Sequence, residues 1–113
     1  MGNKRKKNKR KKSGILETKK ELKRRLEKVR RKIDSLDRKI LPLIVKRYFL
    51  VKEVTQIKQS KQSIVDKQRI AKIIRKIRVL ASKKNMNPAD AEKFWRIMID
   101  FFIDIEKREF KKK

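Results

Sequence analysis

The chain has 113 residues, with 39 lysines and arginines against 13 acidic residues and a formal net charge of +26. It has no cysteine and no histidine, which excludes disulfides, thiolate or imidazole metal sites, and Cys or His nucleophiles. Its two glycines, Gly2 and Gly14, lie near the start, so no Gly-rich phosphate loop is expected in the body.

The segment Lys4–Lys12 holds eight of the basic residues, and without them the chain still carries +18. Residues 1–15 therefore read as a basic tail, disordered in isolation, and residues 16–113 as one helical domain. A field of this strength attracts anionic ligands of any size. Such a tail could make salt-dependent, sequence-independent contacts to nucleic acid. No apolar run nears the roughly 20 residues that span a bilayer, and no apolar stretch follows the charged start as a signal peptide requires. The expectation is a cytoplasmic protein with no membrane partner.

From about Leu16 to Gln59 the pattern is helical, with apolar residues at heptad spacing: Leu26, Val29, Ile33, Leu36, Ile40, Leu43, then Leu50, Val54 and Ile57. Pro42 falls inside this stretch, removes the backbone bond to the Arg38 carbonyl, and should kink or split the helix. Ser60–Ser63 reads as a loop. Asp66 is an N-cap for a second helix with the apolar face Ile70, Ile73, Ile74, Ile77 and Leu80. Asn87-Pro88-Ala89-Asp90 opens a third, with Ala91, Phe94, Trp95, Met98, Phe102 and Ile105 on one face. Nothing alternates with period two, so the expected class is all-α with no sheet. Two short helices cannot cover a helix of some 40 residues, roughly 60 Å long. An intertwined homodimer with its long helices paired would cover the remainder.

One position breaks the seam. Arg47 stands between Leu43 and Leu50, where an apolar residue belongs. A guanidinium keeps its proton, so it either reaches water along its stem or meets an anion inside. Arg30 and Lys58 lie one residue past the seam positions Val29 and Ile57. A seam edged with cations, and holding one in its middle, suggests a small anion held between helices.

The stretch Leu26–Lys58 resembles the first helix of the all-helical (type II) chorismate mutases: an arginine (Arg30), then Ile33-Asp34-Ser35-Leu36-Asp37, Arg47, and a lysine eleven residues on (Lys58). Val65-Asp66-Lys67-Gln68-Arg69 resembles that family's Asp-x-x-Arg start of the second helix, and Phe94-Trp95 to Glu106 resembles its third. The resemblance implies conversion of chorismate, a dianionic enol ether, to prephenate in one pericyclic step with no cofactor, no metal and no nucleophile. It belongs to the shikimate pathway and aromatic amino acid biosynthesis. Catalysis of that kind is positioning plus preorganised electrostatics.

By the same resemblance, Arg47 clamps one carboxylate and Arg30 from a partner copy clamps the other. Lys58 donates to the ether oxygen, Glu106 meets that oxygen from the opposite side, and Arg69 and Asp66 line the site. An ether oxygen only accepts hydrogen bonds, so Glu106 serves there only when protonated. Turnover should then fall as pH rises. Two positions depart from the mutase pattern: Ile70 stands where Glu is usual and Phe102 where Ser is frequent. Both changes remove polar contacts to the substrate ring. The related isochorismate-pyruvate lyases share the fold and the cationic clamp, so a lyase is one alternative, and a non-enzymatic basic protein binding RNA or ribosomes is another.

Overall fold

The computed structural model describes residues 17–113, so the basic tail expected over residues 1–15 lies outside the described residues. The described chain forms three α-helices and one short 3₁₀ turn, with no strand. Helix α1 spans Lys19–Ile57, the 3₁₀ turn Lys61–Ile64, α2 Lys67–Lys83 and α3 Pro88–Lys111. Pro42 lies inside α1 and does not split it. By internal contacts, however, the chain divides at this residue into two units, one ending at Pro42 and one running Leu43–Lys113.

In the first unit, α1 begins on a reciprocal cap. The Glu21 backbone N–H donates to Thr18 Oγ1 at 3.1 Å, and the Thr18 N–H donates to Glu21 Oε1 at 2.9 Å. This Thr-x-x-Glu arrangement satisfies two otherwise orphaned donors. The Thr18 backbone N–H, and next the Thr18 side-chain hydroxyl, hold the Glu21 carboxyl below its ordinary range. The heptad seam here is bare: Leu26, Val29, Ile33, Leu36 and Ile40 are each about half exposed. A row of half-exposed aliphatics on one stripe is an uncovered packing face.

In the second unit, the end of α1 packs on α3. Met98, Phe102 and Ile105 of α3 form the core cluster, and Ile44, Tyr48 and Val51 of α1 lie against it. These α1 residues, with the fully buried Thr55, recur at i, i+4, i+7 and i+11. They form a stripe beside the expected seam. The seam residues Leu43, Leu50, Val54 and Ile57 stay 41–71 % exposed.

Where an open loop was expected at Ser60–Ser63, the chain forms the 3₁₀ turn Lys61–Ile64 with Ser60 as its N-cap. The Ser63 N–H and Oγ both donate to the Ser60 carbonyl, and Ile64 is buried beneath it. Asp66 caps α2 by accepting the Arg69 N–H at 3.0 Å. On α2, Ile74 is buried, while Leu80, expected on the same face, is exposed and Ala81 takes its place inside.

The α2–α3 connection ends α2 in a Schellman motif. Met86 N–H donates to the Ala81 carbonyl and Asn85 N–H to that of Ser82. Asn85 sits at φ 63°, the left-handed region this motif requires and asparagine tolerates. Asn87 then caps α3 by accepting the N–H groups of Ala89 and Asp90, with Pro88 at the first helical position. Phe94, expected in the α3 core, is exposed, and Ile99, Glu106 and Glu109 are buried instead.

Candidate active site

Three segments of the second unit each present four residues at the spacing 0, 3, 4, 7, which places them on one helical face. They are Arg47, Leu50, Val51 and Val54 on α1; Asp66, Arg69, Ile70 and Ile73 on α2 and its cap; and Ile99, Phe102, Ile103 and Glu106 on α3. Lys58 and Ile64 complete the lining of a cavity of about 390 Å³. Pockets that hold small molecules run from roughly 300 to 1,000 Å³. The walls are aliphatic and aromatic, and the polar groups are few and convergent.

Arg47 on α1 and Lys58, one residue past its end, lie eleven residues apart, three helical turns or roughly 16 Å along the backbone. Their long side chains lean together onto two α3 residues, Phe102 and Glu106, only one turn apart. Lys58 Nζ donates to Glu106 Oε1 at 3.0 Å and to the Ile64 carbonyl at 3.3 Å. The Arg47 guanidinium lies over the Phe102 ring, with Cζ 4.5 Å from its centroid. Burial, and next the nearby Arg69 charge, push the Arg47 guanidinium below its ordinary value, while Glu106 acts in the opposite sense. Arg47 has neither fully escaped to water nor met an anion of the protein. Among the described residues no ion pair includes Arg47 or Arg69.

Lys58 is held from a second direction. It sits where α1 leaves four terminal carbonyls without helical partners, and the last turn of α1 has no basic residue to offset them. Lys113 supplies that charge. Its Nζ donates to the carbonyls of Thr55 at 3.0 Å, Gln56 at 3.5 Å and Lys58 at 2.7 Å. The backbone that carries Lys58 is therefore tied to the end of α3.

The cavity brings together seven of the eight residues expected from the sequence: Arg47, Lys58, Asp66, Arg69, Ile70, Phe102 and Glu106. Arg30 does not line it; it lies exposed on α1 in the first unit. The sequence reading missed Ile103 and the Ile64 carbonyl. The first was legible, since it stands three residues before Glu106 on the same face. The second was not, because a main-chain acceptor leaves no signature in residue type. Lys113 was missed for a related reason, since its partners are carbonyls.

Around the cavity stand three cations and two carboxylates. Asp66 is engaged in capping α2 and Glu106 is paired with Lys58, so Arg47 and Arg69 carry the unmatched positive charge. That balance, in an apolar and half-enclosed space, suits an organic anion. Among the described residues no cluster of His, Cys, Asp or Glu is placed to hold a metal ion, and what the lining residues can do is bind, orient and donate hydrogen bonds.

Two comparisons with known proteins bear on the identity of that anion. The sequence profile of the family described as chorismate mutase type II matches residues 29–107. A chorismate mutase of Methanocaldococcus jannaschii is 38 % identical over 77 residues, covering 67 % of this chain and 78 % of the relative.

Proposed function

We infer that this cavity is where the chain, which belongs to the chorismate mutase type II family, carries out the isomerisation of chorismate to prephenate. The observation that carries the reading is the convergence of Arg47, Lys58, Arg69 and Glu106 in one apolar cavity. Chorismate is a dianion, and its rearrangement needs to be held in a compact chair while charge grows on the ether oxygen. Arg47 and Arg69 are unpaired donors for carboxylate. Lys58, gripped by Glu106 and the Ile64 carbonyl, is the donor for the ether oxygen. A donor already oriented need not reorganise as the transition state forms, and one such donor is typically worth about 10²–10³ in rate.

The charge count assigns a role to Arg30. Three cations against two carboxylates leave the cavity at +1, and a dianion would turn it to −1. One more arginine brings the cavity to +2 and the complex to neutrality. In the first unit Arg30 lies one position past Val29, at the edge of the bare stripe a second copy would cover. The functional species is therefore a homodimer in which Arg30 of each copy completes the cavity of the other.

The test is a spectroscopic assay of chorismate loss with identification of the product. Wild-type protein forms prephenate, and Arg47→Ala and Lys58→Ala abolish most of that rate. Formation of no product would overturn the reading. The aliphatic and aromatic side chains at Ile70 and Phe102 favour one further comparison, incubation with isochorismate, in which release of pyruvate would identify a lyase on the same scaffold.

A further inference from the structure

We propose that Phe102 is the positioning residue for Arg47: its buried ring holds the guanidinium in the cavity while leaving the N–H donors free for a carboxylate. The inference rests on the reading of the cavity as a dicarboxylate site and deepens it.

An arginine in an apolar wall needs an anchor. Its free side chain carries about 2 kcal/mol of rotamer entropy, and an unanchored guanidinium would swing to water. The usual anchor is a carboxylate, which would occupy the same donors and cancel the same charge that a substrate requires. An aromatic face attracts the cation through its quadrupole and uses none of its N–H groups. Phe102 meets the geometric requirement, with Arg47 Cζ 4.5 Å from its centroid, inside the roughly 6 Å range of this interaction.

The ring is itself fixed. Phe102 is 2 % exposed, joins Met98 and Ile105 in the core cluster, and has Ile44, Tyr48 and Val51 of α1 packed against that cluster. The neighbouring Phe101 ring meets it edge-on at 5.3 Å and 80°. A close-packed core does not let such a ring wander. The division of labour on α3 follows: Glu106 orients one α1 cation by a charged hydrogen bond, and Phe102, one turn earlier, orients the other without neutralising it. The residue that departs from the family's frequent serine thus exchanges a direct polar contact for a rigid platform.

The test uses the full chain, with steady-state kinetics on chorismate and calorimetric binding of a bicyclic ether dicarboxylate shaped like the chair transition state. Phe102→Leu, which keeps the bulk and loses the aromatic face, is expected to raise KM and weaken the dicarboxylate about 10- to 30-fold, with a smaller change in kcat. Phe102→Tyr, which keeps the face, should stay within about threefold of wild type. In an Arg47→Gln background, where no cation is left for the ring to hold, Phe102→Leu should add less than about twofold. An unchanged KM in Phe102→Leu, or the same fold-loss in both backgrounds, would overturn the proposal. A ring that merely supports the fold would lower the melting temperature at constant KM. Should Phe102→Leu not fold, Phe102→Met makes the same comparison. Absence of turnover in the wild type would count against the enzymatic reading alone, since dicarboxylate binding still reports on Phe102.

Discussion

The two stretches of α1 on either side of Pro42 carry the same heptad spacing and end in different environments. After Pro42 the helix has two useful stripes. Ile44, Tyr48, Val51 and Thr55 turn toward α3, while Arg47, Leu50, Val54 and Lys58 turn toward the cavity. Before Pro42 it has one apolar stripe, and that stripe is half exposed from Leu22 to Ile40. An apolar pattern announces that a face will be covered without saying by what. In the later stretch the cover is the chain's own α3; in the earlier one it is, on the proposed reading, a second copy.

The largest effects should come from the cavity stretch. Arg47→Ala and Lys58→Ala are each expected to lower kcat/KM by about 10³ or more, since each removes a charged donor from a water-poor site. Circular dichroism should show both variants folded, because neither side chain belongs to the core cluster. A loss below tenfold would mean that this stretch merely supports the fold.

The earlier stretch is the sharper test of the contrast. Arg30 is not part of the lining of this cavity in the single chain, so on monomer geometry Arg30→Ala should do nothing. On the dimer reading it lowers kcat/KM about 10²-fold, mainly through KM, as expected for a lost carboxylate clamp. Ile33→Asp places a charge in the bare stripe and should convert the dimer to monomer in sedimentation experiments, with activity lost in parallel. Retention of both association and activity would remove the reason for pairing the long helices.

A smaller effect of pH concerns folding. Glu109 Oε2 accepts from Lys112 Nζ at 3.2 Å, and that hydrogen bond, followed by the charges of Lys112, Lys52 and Arg108, holds its carboxyl below the ordinary range. A carboxyl depressed in the folded state contributes stability above its unfolded pKa and loses it as pH falls through the folded one. Glu109→Gln should therefore lower the melting temperature slightly at neutral pH and not at all in strong acid.

Much of this arrangement was legible in the sequence, for identifiable reasons. Asn87-Pro88-Ala89-Asp90 specified the start of α3 because cap chemistry is local, and Asp66 did the same for α2. The four-residue faces containing Arg47, Arg69 and Glu106 follow from helical period alone. What was not legible depended on rotation and on the main chain. The stripe Ile44, Tyr48, Val51 and Thr55 lies beside the more regular seam, so period alone did not choose between them. Of the two outcomes expected at Pro42, a kink or a split, the split does not occur: α1 is one element through Pro42, because losing one hydrogen bond does not outweigh a long helical run. The exposure of Phe94 and Leu80 also follows from rotation, since each sits at the edge of its apolar face. The carbonyl grip of Lys113 and Ile64 left no trace in residue types.

One mixing experiment tests most directly whether two copies build each cavity. Arg30→Ala and Arg47→Ala proteins, each far below wild-type kcat/KM alone, are unfolded together, refolded and assayed at low substrate. If each cavity takes Arg47 from one copy and Arg30 from the other, half the dimers are mixed and each holds one intact cavity, so about a quarter of wild-type activity returns. Recovery of no activity, with mixed dimers demonstrably present, would contradict the account.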